Sequence, residues 1–171
     1  MERVYLSLGG NIGDALSILR SAVESIKELA GVRDVTVSRY YQTTPVGGEA
    51  QSNYVNAACT FVTDIPCLSL LTRLNEIEKK AGKVKKGKNA PRTLDIDILF
   101  YGTSYIRIDD FCVPHLRWSE RLFVLQPLLD LTPSVLVPVS ETEVVNYELL
   151  LYLKNFENKH NEIVIAIEEE K

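Results

Sequence analysis

The stretch Thr93 to Tyr101, TLDIDILFY, limits what this chain can fold into more than any other segment. Leu94, Ile96 and Ile98 alternate with Asp95 and Asp97. A period of two belongs to a strand, whose successive side chains leave on opposite faces. One face must then pack on an apolar layer, while the other carries two carboxylates whose Cα atoms lie roughly 7 Å apart. A strand of this kind belongs to a sheet covered by helices on one side and open on the other.

The residues before this strand indicate what its open side meets. From Lys79 to Arg92 lie seven of the chain's 19 Lys and Arg residues and none of its 23 Asp and Glu residues, in a protein of net charge −4. A cationic island in an acidic chain needs an anionic partner. Two adjacent aspartates would repel that anion unless divalent cations lay between them. Phosphates gripped by Lys and Arg and bridged by Mg²⁺ to Asp95 and Asp97 satisfy both halves, and a pair of ions about 3.5–4 Å apart suits two carboxylates at this spacing. The pattern points to chemistry on a nucleoside polyphosphate. Pro91 fixes the loop exit before Arg92, whose guanidinium can hold a phosphate by two parallel hydrogen bonds. Lys83, Lys85 and Lys86 add mobile point charges, and Gly82 and Gly87 suit a loop that closes on substrate. Solvated acids, a solvated basic loop, a nucleic-acid patch or a localisation signal would each explain one half of the arrangement and not the other.

At 171 residues the chain is read as one domain, 1–171, large enough to bury a substantial core. Its acidic balance argues against a general nucleic-acid binder. Cys59, Cys67 and Cys112 form no CxxC and are odd in number, so they are expected to be reduced structural thiols in a cytoplasmic protein. No signal peptide and no membrane span is expected. A monomer is compatible with the sequence, which does not fix the oligomeric state.

Periodicity predicts strands over 3–8, 32–41, 54–63 and 93–101, with helices after Asp14 and from Ile65-Pro66 to Gly82. The order βαββαβ favours an α+β sandwich, with both helices on one face of an antiparallel sheet and the other face able to hold a ligand. Further helices are predicted within 117–131 and 146–154, and residues 162–167 alternate like a strand. Residues 156–171 read as a C-terminal extension of unclear role. On the third strand, Tyr54 and Asn56 form a second period-two pair that could hold a flat heterocycle, although a half-buried Tyr and a turn Asn would look the same. The loop from Thr43 to Gly47 could offer backbone groups beside it. His115, Arg117, Trp118, Arg121 and Phe123 mix cations with rings, as either a phosphate-and-base site or a packed surface helix would. The turn GGNIGD lacks the pattern of a nucleotide-binding loop and reads as a tight strand-to-helix turn.

LGGNIGD at 8–14, YYQTTPVG at 40–47, NYVNAA at 53–58, APRTLDIDILFYG at 90–102 and VPHLRWSERLFVLQPLLDLTP at 113–133 resemble, in order, the 6-hydroxymethyl-7,8-dihydropterin pyrophosphokinase family of folate biosynthesis. The resemblance implies a ferredoxin-like fold and transfer of pyrophosphate from ATP to the pterin hydroxymethyl group, with release of AMP and use of two Mg²⁺ ions. It implies that Asp95 and Asp97 are the metal ligands and belong with Arg92 and Lys83 to the catalytic set. Lys85, Lys86, Arg92, His115 and Arg121 would contact the phosphates of ATP, with Asn75, Glu78 and Ile98 also near the nucleotide. Tyr54 and Phe123 would sandwich the pterin, Asn56 would hydrogen-bond its edge, and Thr43, Thr44 and Val46 would lie against it. Three departures stand out. Lys83 replaces an arginine, the basic loop is one residue shorter and lacks a covering Trp, and Gly10 stands where a serine is common. A non-catalytic ferredoxin-like module binding RNA or a regulatory ligand is the competing class. Carboxylates on the sheet face count against RNA. A different ATP-dependent kinase on the same fold is set aside by the pterin-site residues alone.

Overall fold

The computed structural model describes residues 1–45, 52–82, 91–159 and 161–168. The central strand is β1 (Glu2–Gly10), whose Val4, Leu6 and Leu8 are fully buried. The carboxylate of Asp14 then accepts the Ser17 amide at 3.1 Å and the Ser17 hydroxyl at 2.7 Å, capping α1 (Ala15–Lys27) as its sequence predicts. Leu19, Ala22, Val23 and Ile26 make the buried stripe of that helix. The chain continues through β2 (Val32–Val37), β3 (Tyr41–Thr43), β4 (Tyr54–Thr63), α2 (Cys67–Lys80) and β5 (Asp95–Tyr101). After these come the hairpin β6 (Ile106–Ile108) and β7 (Phe111–Val113), a 3-10 turn at Trp118–Glu120 and α3 (Leu122–Leu131). The hairpin β8 (Ser134–Pro138) and β9 (Val144–Glu148), α4 (Leu149–Lys154) and β10 (Val164–Ala166) complete the order.

The single strand expected over 32–41 is two. β2 pairs with the far half of β4, from Thr63 to Cys59, and β3 with its near half, from Asn56 to Tyr54. Between them Ser38 turns its hydroxyl to the backbone, accepting the Ala58 amide at 2.8 Å and donating to the Arg39 carbonyl at 2.6 Å. A side chain thus replaces a ladder bond, which interrupts the strand.

The sheet runs β10-β3-β4-β1-β5, with β2 also on β4, and every pairing is antiparallel. On one face α1 and α2 close a core of Leu6, Leu8, Leu19, Phe61, Leu70, Leu74 and Ile96. Burying each of these large side chains is worth roughly 1.5–3 kcal/mol. The opposite face is not wholly open, as the sequence suggested. A second cluster covers one end of it, built from Phe100, Trp118 and Val124, Leu125 and Leu128 of α3, with Tyr5 packed against them.

β5 serves both layers through a bulge. Ile98 pairs with Leu6 and Phe100 with Tyr5, so Leu99 is an extra residue in the ladder. Ile96, Ile98 and Tyr101 join the first core, while Leu99 and Phe100 both enter the second. All three cysteines are free, and burial pushes the Cys59 thiol up to about 12 and the Cys67 thiol up to about 11. Such thiols are unreactive packing groups. Among the described residues no helix is long and apolar enough to cross a membrane.

Candidate active site

The end of the second face that no described residue covers lies where β1 finishes between β4 and β5. Gly9 sits opposite both Asn56 and Asp95 in the ladders. A Cβ on Gly9 would lie 2.5 Å from the Asn56 side-chain oxygen, and one on Gly10 would run into the Thr93 carbonyl. These glycines therefore belong to the strand, ahead of the turn, and their missing side chains let Asn56 and the Arg92–Thr93 segment approach β1. Thr93 also leaves no room for a serine at position 10.

Asn11 ties three segments together. Its amide donates to the Arg92 carbonyl at 2.9 Å, its Oδ1 accepts the Arg92 amide at 2.9 Å, and its Nδ2 donates to the Ser52 carbonyl at 3.3 Å. Arg92 is thereby anchored at the end of the basic run, and its guanidinium ion-pairs with the Asp95 carboxylate. Tyr54 shares this neighbourhood, since its hydroxyl, shifted upward by burial, also feels the charges of Arg92 and Asp95.

Asp97 faces a different pair. Burial pushes His115 below its ordinary value, and the Asp97 charge opposes that shift; the same two influences act on Arg121, whose pKa is also lowered. The His115 amide donates to the Leu99 carbonyl at 3.0 Å, and its Nδ1 accepts the Arg117 amide at 3.1 Å. An Nδ1 that accepts leaves the proton of the neutral ring on Nε2. The Arg121 guanidinium lies 5.5 Å from the centre of the Phe123 ring. Beside these groups Asn56, 4% exposed, donates to the Thr43 hydroxyl at 2.7 Å, and Tyr54 pairs with Thr43 in the ladder.

The structure therefore draws Arg92, Asp95 and Tyr54 together, and likewise Asp97, His115, Arg121 and Phe123, with Thr43 and Asn56 on the adjoining strands. Thr44 follows Thr43, but Ile163 engages both its amide, at 3.1 Å, and its hydroxyl, at 3.0 Å. The three other residues implied at the nucleotide sit on α2 and β5. Glu78 is 3% exposed, and its carboxylate accepts the Ile96 amide at 2.7 Å, which holds the start of β5 from the helix side. Ile98 is buried in the first core, so its main chain alone is left for a ligand. Asn75 is exposed on α2. Val46, Lys83, Lys85 and Lys86 fall outside the described residues. The bracing role of Asn11 is not apparent in the sequence, where its one signal is an amide side chain in a glycine-rich turn.

Among the described residues no three His, Cys, Asp or Glu side chains gather as a metal site. The two aspartates offer hard oxygen donors on one face, which suit Mg²⁺ and leave most of its coordination to phosphate and water.

Residues 5–133 match the family model described as 7,8-dihydro-6-hydroxymethylpterin-pyrophosphokinase (HPPK). The chain belongs to the HPPK family. It is 35% identical over 147 residues to a 2-amino-4-hydroxy-6-hydroxymethyldihydropteridine pyrophosphokinase of Haemophilus influenzae, a match covering 85% of this chain and 92% of that protein. It is 36% identical over 146 residues to the folic acid synthesis protein fol1 of Pneumocystis carinii, covering 85% of this chain but 20% of the longer fungal protein. A solved Plasmodium falciparum HPPK-DHPS structure superposes with a TM-score of 0.67 at 15% identity, over 90% of this chain and 41% of that one, which shows a shared fold.

Proposed function

We propose that the uncovered end of the sheet carries the HPPK reaction in this chain. As an HPPK, the chain moves pyrophosphate from ATP to the hydroxymethyl group of 6-hydroxymethyl-7,8-dihydropterin, in folate biosynthesis. The observation that carries the site assignment is the convergence of two charge sets, Arg92 with Asp95 and Asp97 with His115 and Arg121, beside the Asn56–Thr43 pair.

The hydroxymethyl oxygen attacks the β-phosphorus of ATP. The bond from that phosphorus to the oxygen shared with the α-phosphate breaks, AMP leaves with the electron pair, and the hydroxyl proton passes to water. Positioning and charge neutralisation dominate such a transfer. Mg²⁺ ions held by Asp95 and Asp97, two by this reading, would supply counter-charge to the phosphates and acidify the attacking hydroxyl. Arg92, His115 and Arg121 bind phosphate oxygens, with Arg92 exchanging the Asp95 carboxylate for them. Lys83, Lys85 and Lys86 add charge from the basic run. Asn56 and Thr43 read the pterin edge, and Tyr54 and Phe123 flank its ring. The strand order β5-β1-β4-β2, with α1 and α2 on one face, supports a ferredoxin-like sandwich as the frame.

Product analysis with Mg-ATP and the dihydropterin tests this reading, with Asp95→Ala/Asp97→Ala as the control. AMP and a pterin diphosphate formed by the wild type alone are expected. ADP as product, or an active double variant, would overturn it.

A further inference from the structure

The family match ends at Pro133, yet the chain returns to the pterin side of the site well beyond it. β10 pairs with β3, placing Val164 opposite Thr43 and Ala166 opposite Tyr41. The Ile167 amide donates to the Tyr40 carbonyl at 2.8 Å, and Ile163 holds Thr44 by the two bonds already described. β3 is therefore clamped between β4 and a strand supplied by the C-terminal extension.

Glu162 enters this strand and is 5% exposed. Asn158 fixes its backbone, accepting the Glu162 amide at 2.8 Å and donating to the Glu162 carbonyl at 2.8 Å. The carboxylate Oε2 accepts the Phe123 amide at 3.3 Å, across 39 residues of sequence. Phe123 is the second residue of α3, and Arg121, at the N-cap of that helix, makes no side-chain cap bond. First-turn amides of a helix need acceptors, and a carboxylate there also meets the positive end of the helix dipole. Burying a carboxylate is costly without such partners; this one has the helix end and the field of Arg121 nearby. An apolar side chain could anchor the extension without that cost. A carboxylate aimed at the first turn of α3 fixes the direction of the helix start as well.

We propose that Glu162 is a positioning residue of the pterin pocket: by capping α3 from the C-terminal extension it sets Phe123, while the strand it leads into sets Thr43 and Thr44. The proposal rests on reading Phe123, Thr43 and Asn56 as pterin contacts. Glu162 touches no reacting atom and acts through the amide of Phe123.

Steady-state kinetics of the full chain, varying each substrate in turn, provide the test. Glu162→Ala should raise KM for the dihydropterin about tenfold, the equivalent of one charge-assisted hydrogen bond, and shift KM for ATP, through Arg121, by clearly less. Glu162→Gln keeps an acceptor oxygen and should recover most of that loss. Asn158→Ala, which releases the turn that aims the carboxylate, should move the same constant in the same direction and serves if Glu162→Ala does not fold. A lowered melting temperature with an unchanged dihydropterin KM, or equal changes in both KM values, would overturn the proposal. Asn56→Ala separates the two failures. If it raises the dihydropterin KM while the Glu162 and Asn158 variants do not, Glu162 is merely structural. If Asn56→Ala leaves that constant unchanged, the pocket lies elsewhere and the proposal falls with it.

Discussion

The two ends of one sheet face carry opposite chemistry on the same two strands. At one end Tyr5 of β1 and Phe100 of β5 meet edge to face with ring centres 6.1 Å apart, and Trp118 meets Phe100 edge to face as well, at 5.1 Å. α3 seals that end. At the other end β1 offers Ser7, Gly9 and Gly10, and β5 offers Asp97 and Asp95 opposite the first two. Ring against ring buries area and excludes water. Glycine against aspartate leaves room that Asn56 of the neighbouring strand β4 and the flanking Asn11 and Arg92 approach. The difference teaches that the proposed site depends on β1 omitting side chains at Gly9 and Gly10, and that α3, whose start carries Arg121 and Phe123, marks the border between the two ends.

Substitutions at each end should separate function from stability. The largest effect belongs to Asp97→Ala. Turnover should fall by about a thousandfold or more, with the melting temperature little changed, because a half-buried carboxylate at the open end supports charge chemistry and no packing. Retained turnover with ordinary Mg²⁺ dependence would break the division. At the other end, Phe100→Ala should cost about 3–5 kcal/mol in urea unfolding while leaving both KM values as they are. A rise in KM instead would mean that the ends are coupled. Asn11→Ala should sit between these, raising KM for ATP several-fold and costing about 1–3 kcal/mol, since the Arg92 amide loses a buried acceptor.

The smallest expected effect is on pH dependence. Burial holds His115 below its ordinary value of 6.5, so the unfolded chain binds this proton more readily than the folded one. Stability tied to His115 is therefore fully present above about pH 6.5 and is lost as the pH falls through the lower folded value. Melting curves between pH 7 and 5 should show the wild type losing about 2 °C more than His115→Asn. Equal losses would mean that the folded protein binds this proton as readily as the unfolded chain.

Much of this division can be read in the sequence, and its gaps have physical reasons. Alternation placed Asp95 and Asp97 opposite Ile96 and Ile98, because the period of two reports directly which face is dry. It did not show that α3 closes half of the second face. Which side of a sheet a helix covers depends on the path of the chain, here through β6, β7 and the 3-10 turn, and periodicity says nothing of that path. Glu78 matched a nucleotide position through the resemblance, and its carboxylate also accepts the Ile96 amide, a contact the sequence did not show. No local pattern separates a glutamate that meets solvent from one that braces a neighbouring strand. The split between β2 and β3 went unseen because a single hydroxyl, that of Ser38, causes it. Glu162 was hidden for the same kind of reason, as its partner is a backbone amide that every sequence possesses.

The extra residue in β5 has a consequence for how this gene could change length. Residues 95 to 98 alternate strictly, and with Leu99 set aside Phe100 and Tyr101 continue the same alternation. Loss of one codon at this point would straighten the ladder and keep both aspartates on the active side, at the cost of one buried leucine. A codon lost from the middle of β1, where Val4 to Leu8 pair without a spare residue on that strand, would turn half of its side chains inside out. Length variation within the sheet is therefore expected to be survivable at the bulge and lethal a few ångströms away on the neighbouring strand.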